Sequence, residues 1–384
     1  MDKTLSKSRM AWPFLLWCFV RIVNRLPLLA AIFVFGLVIS TYRAYQNEKA
    51  VVAKIEEAGG IVSSEYCGLS SVPKAIRDRL PYWNRVRLVL MFEQTMPSEL
   101  FSELRFLRNL DISRSDFTDD GMEHLKWLTK LEYLKLSGTR VTSAGLKQIK
   151  GLTHLKLLEL DYTQVTDEGL IHLKELKYLD QLTLNHTQIT DAGLKHLNGL
   201  RNLECLELNH TQITDIGLEH LKDLRKLEFL DIGGTQVTDA GAERLKGQTA
   251  LVSLALGESL VTDAGLFHLK ALTKLDCLSL NGTQVTDVGL DHLKDLTNLQ
   301  WLDLGGTQIT DAGLKHLKDL RNLEKLGLDH TQITDVGLEC LTELTGLRLL
   351  YLNDTQVTAE GKAMLRKKLP RCTTNLEPRP NWAH

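Results

Sequence analysis

The sequence predicts an α/β solenoid, a right-handed horseshoe of stacked repeats with a parallel sheet on its concave side and short helices on its convex side. Three observations lead to this fold class. The chain repeats every 24 residues from Phe117 onward without insertion or deletion, each repeat has a short segment of alternating leucines, and each has a second segment of helically spaced leucines. Self-similarity at such a period indicates an array in which each unit packs only against its neighbours.

The alternating segment predicts the strand of each repeat. In the units 285–308 and 309–332 this segment is WLDL and KLGL. Side chains alternate along a strand, so the leucines point into the core and the residues between them face the concave side. A threonine follows the strand, for example Thr307 and Thr331. We expect its hydroxyl to satisfy backbone groups where the chain turns away from the sheet.

The second segment predicts the convex helix. Threonine occupies the second position of all eleven units, from Thr118 to Thr358, and is expected to be the helix N-cap. Aspartate follows it in nine of the eleven, where it favours the positive end of the helix dipole. Glycine occupies the fifth position of every unit, from Gly121 to Gly361. Because glycine disfavours a helix, its recurrence predicts a close approach to a neighbouring backbone.

The repeat resembles the leucine-rich repeat. Its signature is carried by Leu323, Leu326, Leu328 and Thr331, with threonine where that family usually has asparagine or cysteine. The ITDVGL segment at 333–338 resembles the cysteine-containing subclass found in F-box-associated proteins, and the TQ[VI]TDAGLKHLKGL-type unit is similar to planctomycete membrane-anchored leucine-rich-repeat proteins. The resemblance covers about residues 93–370. It implies the solenoid fold and a binding role, and it implies no specific ligand.

An uncharged segment near the N-terminus predicts a membrane anchor. Residues 26–42 contain no charge and are followed by Arg43, and 17 residues is at the short end of what spans a bilayer. The preceding residues carry an excess of basic side chains: Lys3, Lys7, Arg9, Arg21 and Arg25. The positive-inside rule then predicts a single-pass protein of the cytoplasmic (inner) membrane with its repeats outside the cytoplasm. A cleaved signal peptide and a two-span hairpin are the alternatives.

Five regions follow from these patterns. They are a basic cytoplasmic segment at 1–25, a transmembrane signal-anchor at 26–42, a membrane-proximal linker and cap at 43–92, the repeat solenoid at 93–370 and a tail at 371–384. Within the cap, residues 43–58 predict a helix that ends at Gly59-Gly60, and residues 61–66 and 85–92 predict strands. Terminal units of such arrays are atypical because one side has no neighbour.

Nothing in the sequence predicts an enzyme, a cofactor or a metal site. The phosphate-loop pattern GxxxxGK[ST] and the HExxH, GxSxG and GxGxxG patterns are absent. The net charge of −2 and the scattered cysteines do not favour nucleic acid, zinc or a disulfide framework. Histidine recurs at the eighth repeat position as a surface row. His186 and His210 occupy adjacent repeats, but no third metal ligand is evident beside them.

The concave face is where a ligand is expected. We define this face as the side chains at repeat positions 17, 19, 21 and 22, the strand residues between the leucines and the two that follow. Acids outnumber bases there, and large aromatic residues stand among them. The predicted ligand-binding residues are Tyr162, Glu207, His210, Phe229, Asp231, Trp301, Asp303, Asp329 and Tyr351. The glycines that follow Asp231 and Asp303 are expected to leave open space on the concave face beside the aromatic rings.

These residues predict a membrane-anchored, non-enzymatic module that mediates protein–protein interaction through its concave face. Aromatic anchors beside acids suit a protein or peptide that carries lysine or arginine, and a polysaccharide is a further ligand class. Two alternatives remain: a structural array of the cell envelope without a discrete ligand, and a substrate adaptor of the F-box type. The predicted anchor argues against the adaptor.

Overall fold

The computed structural model describes residues 46–66, 84–90 and 98–374. The predicted anchor at 26–42 and most of the tail lie outside these residues. Within the described part of the chain, no helix is both long and apolar enough to cross a bilayer.

The described part of the N-terminal cap (43–92) has the predicted helix and strands. Residues 46–57 are helical, and the helix ends where expected, with Gly59 at φ 83° and the Gly60 N–H donating to the Ile55 carbonyl at 2.9 Å. Strand β1 (Ile61–Tyr66) pairs with β2 (Asn84–Leu90) in antiparallel fashion. Since Val51 and Ile55 are buried in the main core, this unit covers the first end of the solenoid.

The strands form one sheet whose order is the order of the chain. From β2 onward, every pairing between the described strands is parallel and in register; Leu206, for example, lies opposite Leu230. The repeat strands are β3 Asn109–Asp111, β4 Tyr133–Lys135, β5 Leu157–Glu159, β6 Gln181–Thr183, β7 Cys205–Glu207, β8 Phe229–Asp231, β9 Ser253–Ala255, β10 Cys277–Ser279, β11 Trp301–Asp303, β12 Lys325–Gly327, β13 Leu349–Tyr351 and β14 Thr373–Thr374. The last of these extends the sheet beyond residue 370, the predicted end of the solenoid.

Short helices lie between the strands, as predicted. The α-helices are Asp119–Leu125, Ser143–Leu146, Asp167–Leu170, Asp191–Leu194, Asp239–Leu245, Asp263–Leu269, Asp287–Leu290, Asp311–Leu314, Asp335–Cys340 and Ala359–Lys368. The 3-10 helices are Ser98–Glu103, Lys147–Ile149, Ile171–Leu173, Gly217–Leu221, Asp291–Leu293, Lys315–Leu317 and Leu341–Glu343. One unit, 213–236, therefore has only a 3-10 turn where its neighbours have α-helix.

Leucines from the strand and the helix of each repeat form a single continuous core. In the unit 261–284, Leu266, Leu269, Leu272, Leu278 and Leu280 are all fully buried. Each buried leucine stabilises the fold by about 1.5–3 kcal/mol relative to an exposed one. One repeat cannot bury these side chains by itself, so stacking is what makes the fold stable.

The threonine after each strand has the predicted role. Thr283 is buried, and its hydroxyl donates to the carbonyl of Leu280 at 2.6 Å. Thr163, Thr211 and Thr331 make the same bond to the leucine three residues earlier. These hydroxyls satisfy the carbonyl of the leucine that follows each strand, at the turn away from the sheet.

The aspartate at the third repeat position connects neighbouring repeats. The Asp239 carboxylate accepts from both the backbone N–H and the hydroxyl of Thr262, at 2.8 and 2.7 Å. Thr262 in turn caps its own helix by accepting from the Ala264 N–H, as predicted. We call this row the Asp–Thr ladder. Its aspartates are Asp119, Asp167, Asp191, Asp215, Asp239, Asp263, Asp287, Asp311 and Asp335.

The ladder also explains the glycine at the fifth position. A Cβ atom on Gly265 would lie 2.6 Å from Asp239 Oδ1, and the equivalent glycines from Gly193 to Gly361 meet the equivalent aspartates. The prediction of a neighbouring backbone is therefore wrong: the close neighbour is a carboxylate. At Gly169, where serine replaces the aspartate in the preceding unit, the nearest atoms are Leu146 Cδ1 and Ser143 Oγ, both at 3.0 Å, so the space is less restricted there.

Candidate functional site

On the concave face, the side chains at one repeat position form a row across successive repeats, because the strands pair in register. Because equivalent positions of successive repeats lie opposite each other, Glu207 is beside Asp231 and Cys205 is beside Phe229. Five of the nine predicted ligand-binding residues come from the repeats that contain β5 to β8: Tyr162, Glu207, His210, Phe229 and Asp231. The other four, Trp301, Asp303, Asp329 and Tyr351, come from the repeats that contain β11 to β13. The structure therefore divides the predicted site into two groups.

The row at position 22 has a left-handed backbone in every repeat from Arg114 to Asp354. Glycine occupies this position four times, at Gly138, Gly234, Gly282 and Gly306. The other seven residues are Arg114, Tyr162, His186, His210, Glu258, His330 and Asp354, with φ between 52° and 57°. A non-glycine residue costs roughly 1–2 kcal/mol in this conformation. The sequence reasoning included this row in the concave face and predicted Tyr162 and His210 from it, but it missed the left-handed backbone, for which the recurring glycines were a usable signal.

An aromatic column stands on this strained row. The Tyr162 and His186 rings stack with their centroids 4.2 Å apart, and His186 and His210 stack at 4.5 Å. The His210 ring lies over Gly234, where a Cβ atom would collide with it. This position brings His210 Nε2 to 3.8 Å from Glu258 Oε2. Among the described residues no group of three or more His, Cys, Asp or Glu side chains could hold a metal ion.

Next to the column, the row at position 21 forms a polar ladder. The Asn185 N–H donates to Asp161 Oδ1 at 2.7 Å, and the Asn209 N–H donates to Asn185 Oδ1 at 2.8 Å. The same side chains reach the strand row, since Asn185 Nδ2 donates to Glu207 Oε2 at 2.6 Å and Asn209 Nδ2 to Asp231 Oδ1 at 3.3 Å. Both asparagines therefore hold the carboxylates in place.

Burial raises the pKa of the carboxyl groups on this part of the face. Desolvation raises the pKa of Glu207 to about 7 and moves those of Asp161, Asp231 and Glu159 above their ordinary values. Hydrogen bonds oppose the shift at each group without reversing it. A carboxylate with a raised pKa is short of favourable interactions in its charged form, so a cation beside it would stabilise that form.

No lysine or arginine stands at the concave positions of the seven strands from β5 to β11. The same positions carry six carboxylates: Glu159, Asp161, Glu207, Asp231, Glu258 and Asp303. Lysines occur only at the two ends, where Lys135 pairs with Glu159 at 2.6 Å and Lys325 Nζ lies 4.7 Å from the Trp301 ring centroid. The concave positions of this stretch therefore carry acidic and no basic side chains, and two of the carboxylates, Asp231 and Asp303, are almost fully buried.

The second group of predicted residues is buried. Trp301 is 7% exposed, Tyr351 3%, Asp329 3% and Asp303 1%. The two rings stack across the intervening repeat with centroids 6.5 Å apart, and Trp301 also packs against Cys277. Of the two glycines expected to leave open space beside Trp301 and Asp303, Gly305 is buried and Gly306 is exposed. A ligand role for these four residues stays a prediction.

Two leucine-rich-repeat family models match the chain. One, described as "Leucine rich repeat", matches residues 177–237 and 297–357, and the other, described as "Leucine Rich repeat", matches 103–126 and 151–174. The matched segments lie in the described solenoid and contain β3, β5 to β8 and β11 to β13. No curated protein sequence matches the chain.

Solved structures of bacterial repeat proteins are similar to it. An internalin (inlF) of Listeria monocytogenes has 24% sequence identity and a TM-score of 0.59, over 76% of this chain and 87% of that one. A second internalin of the same organism (inlC2) has 28% identity and a TM-score of 0.43, over 61% and 92%. A repeat protein of Leptospira interrogans has 18% identity and a TM-score of 0.36, over 73% and 93%. The first of these supports the fold.

Proposed function

The chain is a leucine-rich-repeat protein, and from this premise we propose that it binds a basic segment of another protein on the part of its concave face between β5 and β9. Leucine-rich-repeat domains typically mediate protein–protein interactions and are generally not enzymes. The proposal therefore adds the location of the site and the charge of its ligand to the general role of the family.

The charge distribution of the concave face carries the proposal. Five carboxylates and no lysine or arginine occupy the concave positions of the five strands from β5 to β9. Parallel strands lie about 4.8 Å apart, so the site is roughly 20 Å long. Burial has already raised the pKa of Glu207 and Asp231. A lysine or arginine at this surface compensates those carboxylates, and the surrounding field accelerates its association.

The first group of predicted residues provides the contacts. Glu207 and Asp231 supply charge, and Phe229, which is half-buried between Cys205 and Ser253, supplies apolar surface. Tyr162 has 63% of its surface exposed at the rim. A ring that is held at a strained backbone position and stacked on one face is already ordered, so binding against it costs little conformational entropy.

We also propose that the chain is anchored in the cytoplasmic membrane through residues 26–42, with the repeats outside the cytoplasm. The uncharged segment and the basic residues before it support this proposal. Protease added to intact spheroplasts should digest the repeats and leave the N-terminal segment protected. Digestion only after lysis would contradict this orientation.

The binding proposal is tested with defined peptides on the full-length chain in detergent micelles. Binding of three 12-residue glycine/serine peptides is compared by fluorescence anisotropy. One peptide carries three basic residues (lysines and arginines), one carries three glutamates, and one is uncharged. We expect the basic peptide to bind at least tenfold more tightly than the others and to weaken as salt rises, because the contact is electrostatic.

Isosteric variants locate the site. The double variant Glu207→Gln/Asp231→Asn should weaken binding of the basic peptide about tenfold. Asp111→Asn is the matched control, because Asp111 has the same repeat position as Asp231 but lies outside the stretch and bonds Ser113. Equal binding of basic and acidic peptides, or equal losses in both variants, would overturn the proposal. No binding of any peptide would favour the structural array.

A further inference from the structure

A small polar cavity opens on the concave face where β8, β9 and β10 end. Its volume is about 10 Å³, the size of one water molecule. Three glycines and an alanine form its floor: Gly233, Gly234, Gly257 and Ala255. We call this cavity the glycine notch. The four small residues occupy concave positions at which other repeats carry aspartate, asparagine, tyrosine or glutamate.

The glycines are needed because polar side chains from both neighbouring repeats cross above them. A Cβ atom on Gly233 would lie 2.7 Å from Asn209 Nδ2, and one on Gly257 would overlap Asn281 Oδ1. Asn281 Oδ1 is held there by the hydroxyl of Ser279, which donates to it at 2.6 Å. The walls of the notch are therefore built by fixed polar groups from separate repeats.

A buried carboxylate lines the notch. Asp231 is 4% exposed, and its Oδ1 accepts from the Gly233 N–H at 2.9 Å and from Asn209 Nδ2 at 3.3 Å. Among the described residues no hydrogen bond or ion pair reaches its Oδ2. Burial raises the pKa of this carboxyl group, which is the response of a charge without a compensating cation.

The other polar groups also favour a cationic donor. Glu258 stands at the rim, with His210 Nε2 at 3.8 Å, and the Ser279 hydroxyl, having donated to Asn281, keeps its lone pairs for a donor. Two carboxylates and one serine oxygen thus surround a space in which the only basic group is one imidazole. An ammonium group carries three donors and a full charge, and it matches this set.

We propose that the glycine notch binds the primary ammonium of a lysine side chain. The size of the cavity favours the smaller cationic group: an ammonium has nearly the volume of a water molecule, whereas a planar guanidinium has three nitrogens in a rigid fork. The inference rests on the proposed function, because the lysine belongs to the bound protein segment. It adds that lysine, and not arginine, occupies this position.

The test uses small probes that carry one cationic group. Binding of n-butylammonium and n-butylguanidinium to the full-length chain in micelles is followed by ligand-observed NMR. We expect millimolar binding of n-butylammonium and at least tenfold weaker binding of n-butylguanidinium. Ala255→Gln should abolish the first by filling the notch. Glu207, at the same repeat position, shows that a side chain of that length is accommodated there.

Asp231→Asn should also weaken n-butylammonium binding at least tenfold, and Asp111→Asn should leave it unchanged. Circular dichroism and the melting temperature check that each variant is folded. Equal binding of the two probes, or binding that survives both Ala255→Gln and Asp231→Asn, would overturn the notch as a lysine site. So would the absence of n-butylammonium binding to the wild type.

The two proposals can fail separately. If the basic peptide binds and a lysine-only peptide is no better than an arginine-only peptide, the basic-ligand function stands and the notch assignment is wrong. If n-butylammonium binds in the notch and no basic peptide binds, the notch assignment stands and the segment-binding function is wrong.

Discussion

The two groups of predicted residues define two halves of the concave face, the first in the repeats of β5 to β8 and the second in those of β11 to β13. Side chains at the same repeat position differ in burial between these halves. At position 19 of the first half, Glu207 keeps part of its side chain in solvent although its neighbour Asp231 is buried, whereas Asp303 and Tyr351 of the second half are both almost fully buried. At position 17, Phe229 is half-buried and Trp301 is 7% exposed. The backbone register is the same in both halves. The difference therefore comes from the neighbouring side chains.

Gly327 shows how the second half becomes closed. It lies at position 19 between Asp303 and Tyr351, and having no side chain, it leaves room for the Asp303 carboxylate and for the approach of the two rings. In the first half the glycines Gly233, Gly234 and Gly257 leave a cavity that polar groups line instead. A glycine on this face therefore leaves space for a ligand only where no large neighbouring side chain fills that space.

The largest expected effect is a difference in the free energy of unfolding between two variants at the same repeat position, one in each half of the concave face. Trp301→Ala should lower the free energy of unfolding by about 4 kcal/mol, because it removes a buried ring that contacts Cys277 and Tyr351. Phe229→Ala, at the same position, should cost about 1 kcal/mol, since this ring is only half-buried. Chemical denaturation measures both. Similar losses would show that the halves are equally packed.

The second prediction concerns the scaffold that both halves share. Gly217→Ala and Gly313→Ala should each destabilise the fold by about 2 kcal/mol, because the added Cβ overlaps Asp191 or Asp287. Combining Gly313→Ala with Asp287→Ala should cost less than the sum of the two single changes, as expected for groups in contact. Strict additivity in denaturation experiments would contradict the explanation of the glycine by the Asp–Thr ladder.

The third prediction uses pH to identify the desolvated carboxylate of the first half. The folded-state pKa of Glu207 is raised to about 7, so its ionisation opposes folding as pH rises from its ordinary value through 7. Glu207→Gln should therefore stabilise the protein by about 1 kcal/mol at pH 8 and change little at pH 4.5.

Glu132→Gln is a control for which the expected change in stability at pH 8 has the opposite sign. A hydrogen bond from Lys156 lowers the pKa of Glu132, so Glu132 contributes stability above its ordinary pKa that is lost as pH falls below it. Its replacement should lower the melting temperature at pH 8. A shift of the same sign for both variants in melting curves would count against the assigned causes.

The smallest effect is expected on the aromatic column. His186→Gly relieves a left-handed backbone, worth roughly 1 kcal/mol, but it removes two ring stacks worth a similar amount. The net change in stability should stay within about 0.5 kcal/mol, while basic-peptide binding weakens because Tyr162 loses its support. A stability loss above about 1 kcal/mol would mean that the column belongs to the scaffold.

Much of the fold could be predicted because it depends on local pattern. The alternating leucines located the strands, Thr262 and its equivalents located the helix starts, and Gly59-Gly60 located the end of the first helix. The site was predictable only as a face. Six of its nine residues follow from strand alternation and the other three, Tyr162, His210 and Asp329, from the two concave positions after the strand. Which of them stay exposed depends on contacts with repeats 24 or 48 residues away, such as that between Trp301 and Tyr351.

By itself the sequence determined the period, the strand and helix of each unit and the leucine core, because each is set by spacing within one repeat and by the need of an apolar face for a neighbour. Only the tertiary structure decided the partner of each ladder aspartate, the strained turn at Tyr162 and His210, the burial of Trp301 and the cavity beside Asp231. These depend on distances between side chains of successive repeats. Those distances exist only when the units are stacked, and a change of one side chain in one repeat alters them in the next.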